Sequence, residues 1–447
     1  MNAIKLKAAR EHRLGGRMKE ALALYAQVLQ ADPENLDALM NLARMSLDLG
    51  RLEAAASMVL RALSRAPQES ECEEILGQVV SRFEDPVTQG QVIFEYAQDL
   101  KAKGFWDSAL VHYRRALRFD PSLASSDNFE SITLLAQGQL TQGWQAFEWR
   151  NTVASLGPFT DKVWNGEDLT DKTLLVWGEQ GIGDQIMFST CLPDIIACAG
   201  HVIFGVDERL VSLFARSFPK ASVHGVSRYW GGVETRVNDF DWLGDYPAVD
   251  FFVLEGSLPR FYRPTIESFP ATSCRLTADP EQVKYWRQKL AGLGVDKKVG
   301  ISWRSFLVSE DNADHYPAFE LWQPLFDKSE TRFISLQAGI TQQEQLLLKE
   351  RFGLTLTVYE ELDLIECLDG TASLIASLDA VVTTQNYLQW LGASLGVPTW
   401  SIARGNRKTQ WGFLGQRNYP WFPDLNVCLE EDDNLLVAAF ARVAGNI

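Results

Sequence analysis

The stretch GEQGIGDQIMFSTCLPDI, residues 178–195, follows the apolar run TLLVW and decides how the chain is read. A short apolar run that breaks on glycines and restarts with helical periodicity predicts a strand, a tight turn and a helix. Gly178, Gly181 and Gly183 surround one acid, Asp184, at the predicted helix entrance. No GK[ST] triplet follows, and an acid stands where a dinucleotide pyrophosphate would approach, so neither phosphate-loop motif applies. The helix macrodipole favours a carboxylate there as an anion. Residue chemistry leaves two roles open for Asp184, a helix cap and a base facing a cleft.

Downstream the same grammar continues. TLLVWG (173–178), HVIFGV (201–206), ASVHGV (221–226) and DFFVLEG (250–256) form one set of short β-rich runs. KVGISW (298–303), RFISLQ (332–337), LTLTVY (354–359), DAVVTT (379–384) and PTWSIA (398–403) form a second. Helical segments alternate with these runs, which predicts parallel sheets of βαβ units. The helical stretch 279–296 separates the sets, so the expectation is two α/β lobes with a cleft between them. Ligands of open α/β sheets sit beyond the carboxyl ends of the strands, which points to that cleft.

Upstream the pattern is a repeat. Gly16, Ala21, Tyr25, Val28 and Pro33 recur 34 residues later as Gly50, Ala55, Val59, Ala62 and Pro67. Gly104, Ala109, Tyr113, Ala116 and Pro121 form a third copy after an insertion at 68–90, and Gly138, Gly143 and Phe147 a partial fourth. Each unit reads as helix, glycine turn, helix and proline stop, with alanines where two helices cross closely. This resembles the tetratricopeptide repeat, which implies an α-solenoid whose concave face holds a peptide or partner protein. Propping up the following domain or mediating dimerisation are the plainer roles.

Composition sets further bounds. The 447 residues suffice for two or three domains. Six scattered cysteines lack a CxxC pair and five histidines lack HExxH spacing, which argues for free thiols and against a metal site. A net charge of −16 disfavours nucleic acid. No window reaches the length of a membrane span, and the first residues lack an apolar signal core, so the expected location is the cytoplasm.

The segment VWNGEDLTDKTLLVWGEQGIGDQIMF resembles the start of the heptosyltransferase-like glycosyltransferases, in particular those with a tetratricopeptide front end. Trp164, Gly166, Leu169, Glu179, Gln180, Gly181, Gly183, Asp184, Ile186 and Phe188 match its pattern in place. GWQAFEWR (143–150), VGISWRS (299–305), WQPLF (322–326), RFISLQAG (332–339), residues 369–400 and TQWGFLGQRNYPWFP (409–423) extend the similarity over nearly the whole chain. The resemblance implies a GT-B fold of two Rossmann-like lobes. The expected domains are a solenoid at 1–155, an acceptor-side lobe at 156–290 and a nucleotide-sugar lobe at 291–447. It further implies an inverting, metal-independent transfer with Asp184 as general base and Gln180, Gly181 and Gly183 as an acceptor-side loop. Donor contacts fall on Trp303, Arg304, Gln337, Thr384, Gln385, Asn386 and Arg404, with Arg407 and Lys408 near by.

Two departures bear on activity. Relatives read S-x-D-T-x-x-x-H where this chain has Thr383, Gln385, Asn386 and Trp390, so an acid and a histidine are replaced by an amide and an indole. His315 stands near a position where relatives carry a base. The expected function is transfer of a sugar from a nucleotide-sugar to a protein acceptor recruited by the repeats, flagellin being one example. The alternatives are a silent adaptor acting through its repeats, and a transferase acting on lipid or polysaccharide. A homodimer is compatible with the repeats.

Overall fold

The computed structural model describes residues 2–125, 129–149, 157–226, 240–272, 276–294, 297–306, 315–405 and 411–447. The chain divides into two units, Met1–Gln137 and Gly138–Ile447.

The first unit is helical, with α1 (Asn2–Leu14), α2 (Met18–Ala31), α3 (Leu36–Asp48), α4 (Leu52–Arg65), α5 (Ser70–Arg82), α6 (Pro86–Ala102), α7 (Trp106–Phe119) and α8 (Phe129–Ala136). The 34-residue period has a backbone cause. Gly16, Gly50 and Gly104 end helices at φ of 75°, 68° and 76°, left-handed values that a Cβ disfavours. In each turn the following N–H reaches back over the glycine: Arg17 to His12 O (2.9 Å), Arg51 to Ser46 O (2.8 Å) and Phe105 to Leu100 O (2.9 Å). These are Schellman closures, and they satisfy carbonyls the helix end would leave bare. The pairs α1–α2, α3–α4 and α6–α7 pack across these turns, and α5 is the inserted helix. Ala21, Ala55 and Ala109 are fully buried at the crossings, as are Tyr25 and Val59 one turn on. An ion pair repeats as well: Arg10 meets Asp37, and Arg44 meets Glu71, each partner displaced by one period.

The second unit opens with α9 (Leu140–Phe147). The sequence reading keeps this helix with the repeats, but Trp144 ties it into the α/β unit. The Trp144 indole is buried, donates from Nε1 to Arg263 O at 2.9 Å, and meets Trp421 edge-on at 5.9 Å. The expected boundary at residue 155 lies outside the described residues.

The first lobe holds β1 (Thr173–Trp177), β2 (His201–Asp207), β3 (Ser222–Val226) and β4 (Phe251–Leu254), with α10 (Ile182–Phe188), α11 (Leu192–Cys198), α12 (Val211–Ser217) and α13 (Leu258–Tyr262). All pairings are parallel in the order β3-β2-β1-β4. Every residue of β1 is buried, as expected of a central parallel strand covered on both faces. Helix α14 (Pro280–Ala291), capped by Asp279, leads to the second lobe. There β5 (Lys297–Ser302), β6 (Thr331–Ser335), β7 (Ala380–Thr383), β8 (Thr399–Arg404) and β9 (Leu425–Glu430) form a parallel sheet in the order β6-β5-β7-β8-β9. Its helices are α15 (Gln323–Phe326), α16 (Gln342–Phe352), α17 (Leu368–Ile375), α18 (Tyr387–Ser394) and α19 (Asp433–Asn446).

Two strand expectations change. LTLTVY (354–359) makes only an isolated bridge, Thr357 to Ile334, because Leu354 and Leu356 pack onto the lobe core instead of extending the sheet. Conversely LNVCLE forms β9; its exposed Asn426 breaks the apolar run that marks central parallel strands.

Ala55→Leu inserts bulk at a fully buried helix crossing and should destabilise the protein by about 1–3 kcal/mol, read from the midpoint of chemical denaturation.

Candidate functional site

Both sheets reverse their winding at one point, and both points carry the residues singled out from sequence. In the first sheet the reversal lies between β1 and β4, so the turn after β1 opens at the switch. Gly178 donates to Gly205 O at 2.8 Å and lies so close to Gln185 that a Cβ would stand 3.0 Å from its amide. Gln185 is fully buried; it donates to Gln180 O (2.9 Å) and accepts from Asp207 N (3.1 Å), fastening turn to helix. Its part in the turn is invisible in a single sequence, because its partners come from β2 and the turn itself.

Asp184 occupies the third position of α10, and the N-cap is Gly181, which makes no side-chain cap bond. Asp184 therefore does not occupy the N-cap position, but its carboxyl draws on the Gly181 and Asp184 N–H groups at the helix start. Its carboxyl is partly open to solvent, but most of its surroundings are protein. Burial, joined by the neighbouring charge of Glu179, pushes its pKa up to about 6, against the pull of the Gly181 and Asp184 N–H groups. A carboxylate poised there can exchange a proton near neutral pH.

The lobes meet at this turn. A Cβ on Gly183 would stand 3.3 Å from Cδ1 and 3.4 Å from Nε1 of Trp390, and 3.6 Å from Cβ of Tyr387, so α10 rests on α18. Trp390 is buried, stacked on Phe422 at 5.4 Å and edge-on to Tyr419 at 4.8 Å. Arg216 adds a bidentate ion pair across the lobes to Asp369, at 2.9 and 2.8 Å.

The second sheet reverses between β5 and β7, whose carboxyl ends carry Trp303, Arg304, Thr384, Gln385 and Asn386. A hydrogen-bond hub joins these ends. Gln337 Oε1 accepts from Ser302 Oγ (3.2 Å), Trp303 N (3.0 Å) and Arg304 N (3.1 Å). Asn386 Nδ2 donates to Ser302 Oγ (3.2 Å), while its Oδ1 caps α18 by accepting from Leu388 N (3.0 Å). Gln337 and Asn386 are thus occupied in holding the loops. Thr384 is fully buried. Gln385 is half-buried and makes no side-chain hydrogen bond among the described residues.

The arginines are compensated. Arg304 donates to both oxygens of Glu344, at 3.0 and 3.1 Å, and to Gly339 O at 3.0 Å. Burial alone would raise the Glu344 carboxyl, but hydrogen bonds from Arg304, Thr341 and Trp303 hold it below its ordinary range. Trp303 is packed in the lobe core with its Nε1 on the same acid (3.0 Å). Arg404 pairs with Asp433 and donates to Glu431 O at 2.9 Å. Among the described residues His315 contributes only its backbone oxygen, which accepts from Arg404 N. Arg407, Lys408 and the run before His315 lie outside the described residues.

Sequence reasoning missed a cavity of about 400 Å³ behind Gln337. Its walls include Gly339, Gln342, Val358, Tyr359, Asp363 and Leu374, so apolar faces alternate with hydrogen-bonding groups. The irregular 357–365 segment forms one side, which no periodicity signals. Its Leu364 O accepts from the Tyr387 hydroxyl (2.8 Å), which links the cavity wall to the interlobe seam. Among the described residues no cluster of His, Cys, Asp and Glu has the geometry of a metal site, and no helix is long and apolar enough to cross a membrane.

The tetratricopeptide repeat family matches residues 14–79. Protein FlbA of Caulobacter vibrioides is 28% identical over 452 residues, covering 95% of this chain and 74% of that protein. Among solved structures, the chain is similar to a glycosyl transferase family 9 protein from Veillonella parvula, at 13% identity and a TM-score of 0.47, over 61% of this chain and 90% of that one. It is similar to the E. coli heptosyltransferase WaaC solved with ADP, at 15% identity and a TM-score of 0.42, over 62% of this chain and 100% of the other. It is also similar to an O-GlcNAc transferase from Thermobaculum terrenum, at 13% identity and a TM-score of 0.31, over 99% and 90%.

The raised Asp184 pKa carries a stability consequence. Between the ordinary carboxyl value of 3.8 and about 6 the folded state binds the proton more tightly than the unfolded chain, so stability falls as pH rises through that window. Asp184→Asn should therefore gain on the wild type from pH 4 to 6, by at most about 3 kcal/mol, and hold that margin above. Denaturation of both proteins across pH 4–8 measures the difference.

Proposed function

We propose that the protein is an inverting glycosyltransferase that moves a sugar from a nucleotide-sugar to a protein acceptor recruited by its repeats. One observation carries this reading: a carboxylate with a pKa near 6 stands at the switch point of the first sheet, on the seam with the second lobe. In the transfer, an acceptor hydroxyl oxygen attacks the anomeric carbon and forms the new C–O bond. The hydroxyl proton passes to the Asp184 carboxylate, and the bond to the donor's phosphate oxygen breaks with its electron pair leaving on that oxygen. The cavity at Gln337 has the size and mixed lining that suit the base and ribose, with Asp363 and Gln342 as hydrogen-bonding walls. The fusion supports a protein acceptor, since solenoids of this kind commonly bind polypeptide on their concave face.

A second reading, a silent adaptor, draws on the compensated arginines and on the Asn386 side chain engaged on its own helix. Calorimetry with uridine, cytidine, guanosine and adenosine sugar nucleotides separates the two. Micromolar binding of one class supports the transferase, and no binding at millimolar concentration supports the adaptor.

For the transferase, Asp184→Asn should abolish transfer while leaving sugar-nucleotide affinity within about twofold. The wild-type kcat/KM should rise with pH through about 6 as the base deprotonates. Full turnover in the variant would remove Asp184 from the chemistry.

A further inference from the structure

An oxyanion departs in the proposed transfer, and Arg304 after β5 and Arg404 at the end of β8 already hold acids. The structure offers other donors at the seam. Trp390 is 9% exposed and Tyr419 5%, and their rings meet edge-on at 4.8 Å, beside the Gly183–Asp184 turn. Among the described residues, neither the indole N–H nor the phenol O–H has a hydrogen-bond partner. Neither donor atom is sealed from solvent, in contrast to the orphaned Tyr25 hydroxyl and Trp421 indole elsewhere in the chain. Each donor therefore keeps hydrogen-bonding capacity that no described side chain or backbone group uses, and which a ligand oxygen can take. The Gly412 backbone packs closely on the Tyr419 ring, since a Cβ there would stand 2.7 Å from Tyr419 Cε1 and 2.8 Å from its oxygen. Burial, together with the charge of Asp184, also raises the phenol's pKa, so it keeps its proton and remains a donor.

Resting on the transferase reading, we infer that Trp390 Nε1 and Tyr419 Oη form the donor pair that receives the departing phosphate oxygen. They take the place of the histidine whose absence at position 390 counts against activity. Both remain neutral and give hydrogen bonds without giving up a proton; the proton released in the reaction goes to Asp184. A neutral pair suits this seam, where a second buried cation would need a counter-charge of its own. The edge-on packing fixes the angle between the two rings, so the donors are oriented before the ligand arrives.

The test is calorimetry on the full chain with ADP, UDP, GDP and CDP and their four nucleosides. Tyr419→Phe removes one oxygen and keeps the ring; it should weaken the preferred diphosphate about tenfold and leave its nucleoside unchanged. Trp390→Phe should move the two affinities the same way, and Tyr419→Phe decides alone if that variant fails to fold by circular dichroism. An unchanged diphosphate affinity in Tyr419→Phe, or an equal loss for nucleoside and diphosphate, overturns the donor pair and leaves the transferase reading standing. If the wild type binds none of the four diphosphates, the transferase reading falls and takes the pair with it.

Discussion

The seam between the two lobes centres on one close approach, Gly183 against the indole of Trp390, where a Cβ would stand 3.3 Å from Cδ1 and 3.4 Å from Nε1. Even a methyl at 183 would crowd the ring and push it back by a few tenths of an ångström, so the glycine lets the two helices pack this closely. That contact shapes the surroundings of Asp184. It brings the aromatic packing of the second lobe up to the turn that carries this carboxylate, whose burial, with the charge of Glu179, lifts its pKa.

Around that contact, polar side chains are used mainly for support. Ser302, Gln337 and Asn386 knit the loops after β5, β6 and β7 into one hydrogen-bonded piece. Glu344 serves twice, closing the capping box of α16 with Thr341 and neutralising Arg304. Such networks hold loops rigid because Ser302, Gln337 and Asn386 are each partnered before any ligand arrives. The groups left over are then informative. Gln385, Trp390 and Tyr419 keep hydrogen-bonding capacity where their neighbours have used theirs.

The solenoid obeys a different logic. Its turns are set by left-handed glycines and their back-reaching N–H bonds, and its spacing by alanines at the crossings. Both are local requirements, so they recur along the chain at a fixed interval. The ion pairs of Arg10 and Arg44 recur for the same reason, because equivalent positions on successive repeats face equivalent neighbours.

The sequence by itself determined the repeat, the two lobes and the turn at 178–184. Each rests on short-range rules: a residue that tolerates positive φ, a small residue at a crossing, an apolar run of strand length. It also identified which loops stand at the strand ends, since chain order assigns one loop to the end of each of β1, β5 and β7. Tertiary structure alone decided what those loops do with their side chains. Arg304 reads as a phosphate ligand until Glu344, 40 residues on, is found against it, and Asn386 reads the same until it caps its own helix. Trp390 reads as a lost histidine until Gly183 and Tyr419 are seen on either side. Hydrogen bonds and desolvation act through space over a few ångströms, and no spacing along the chain encodes which distant group will stand that close.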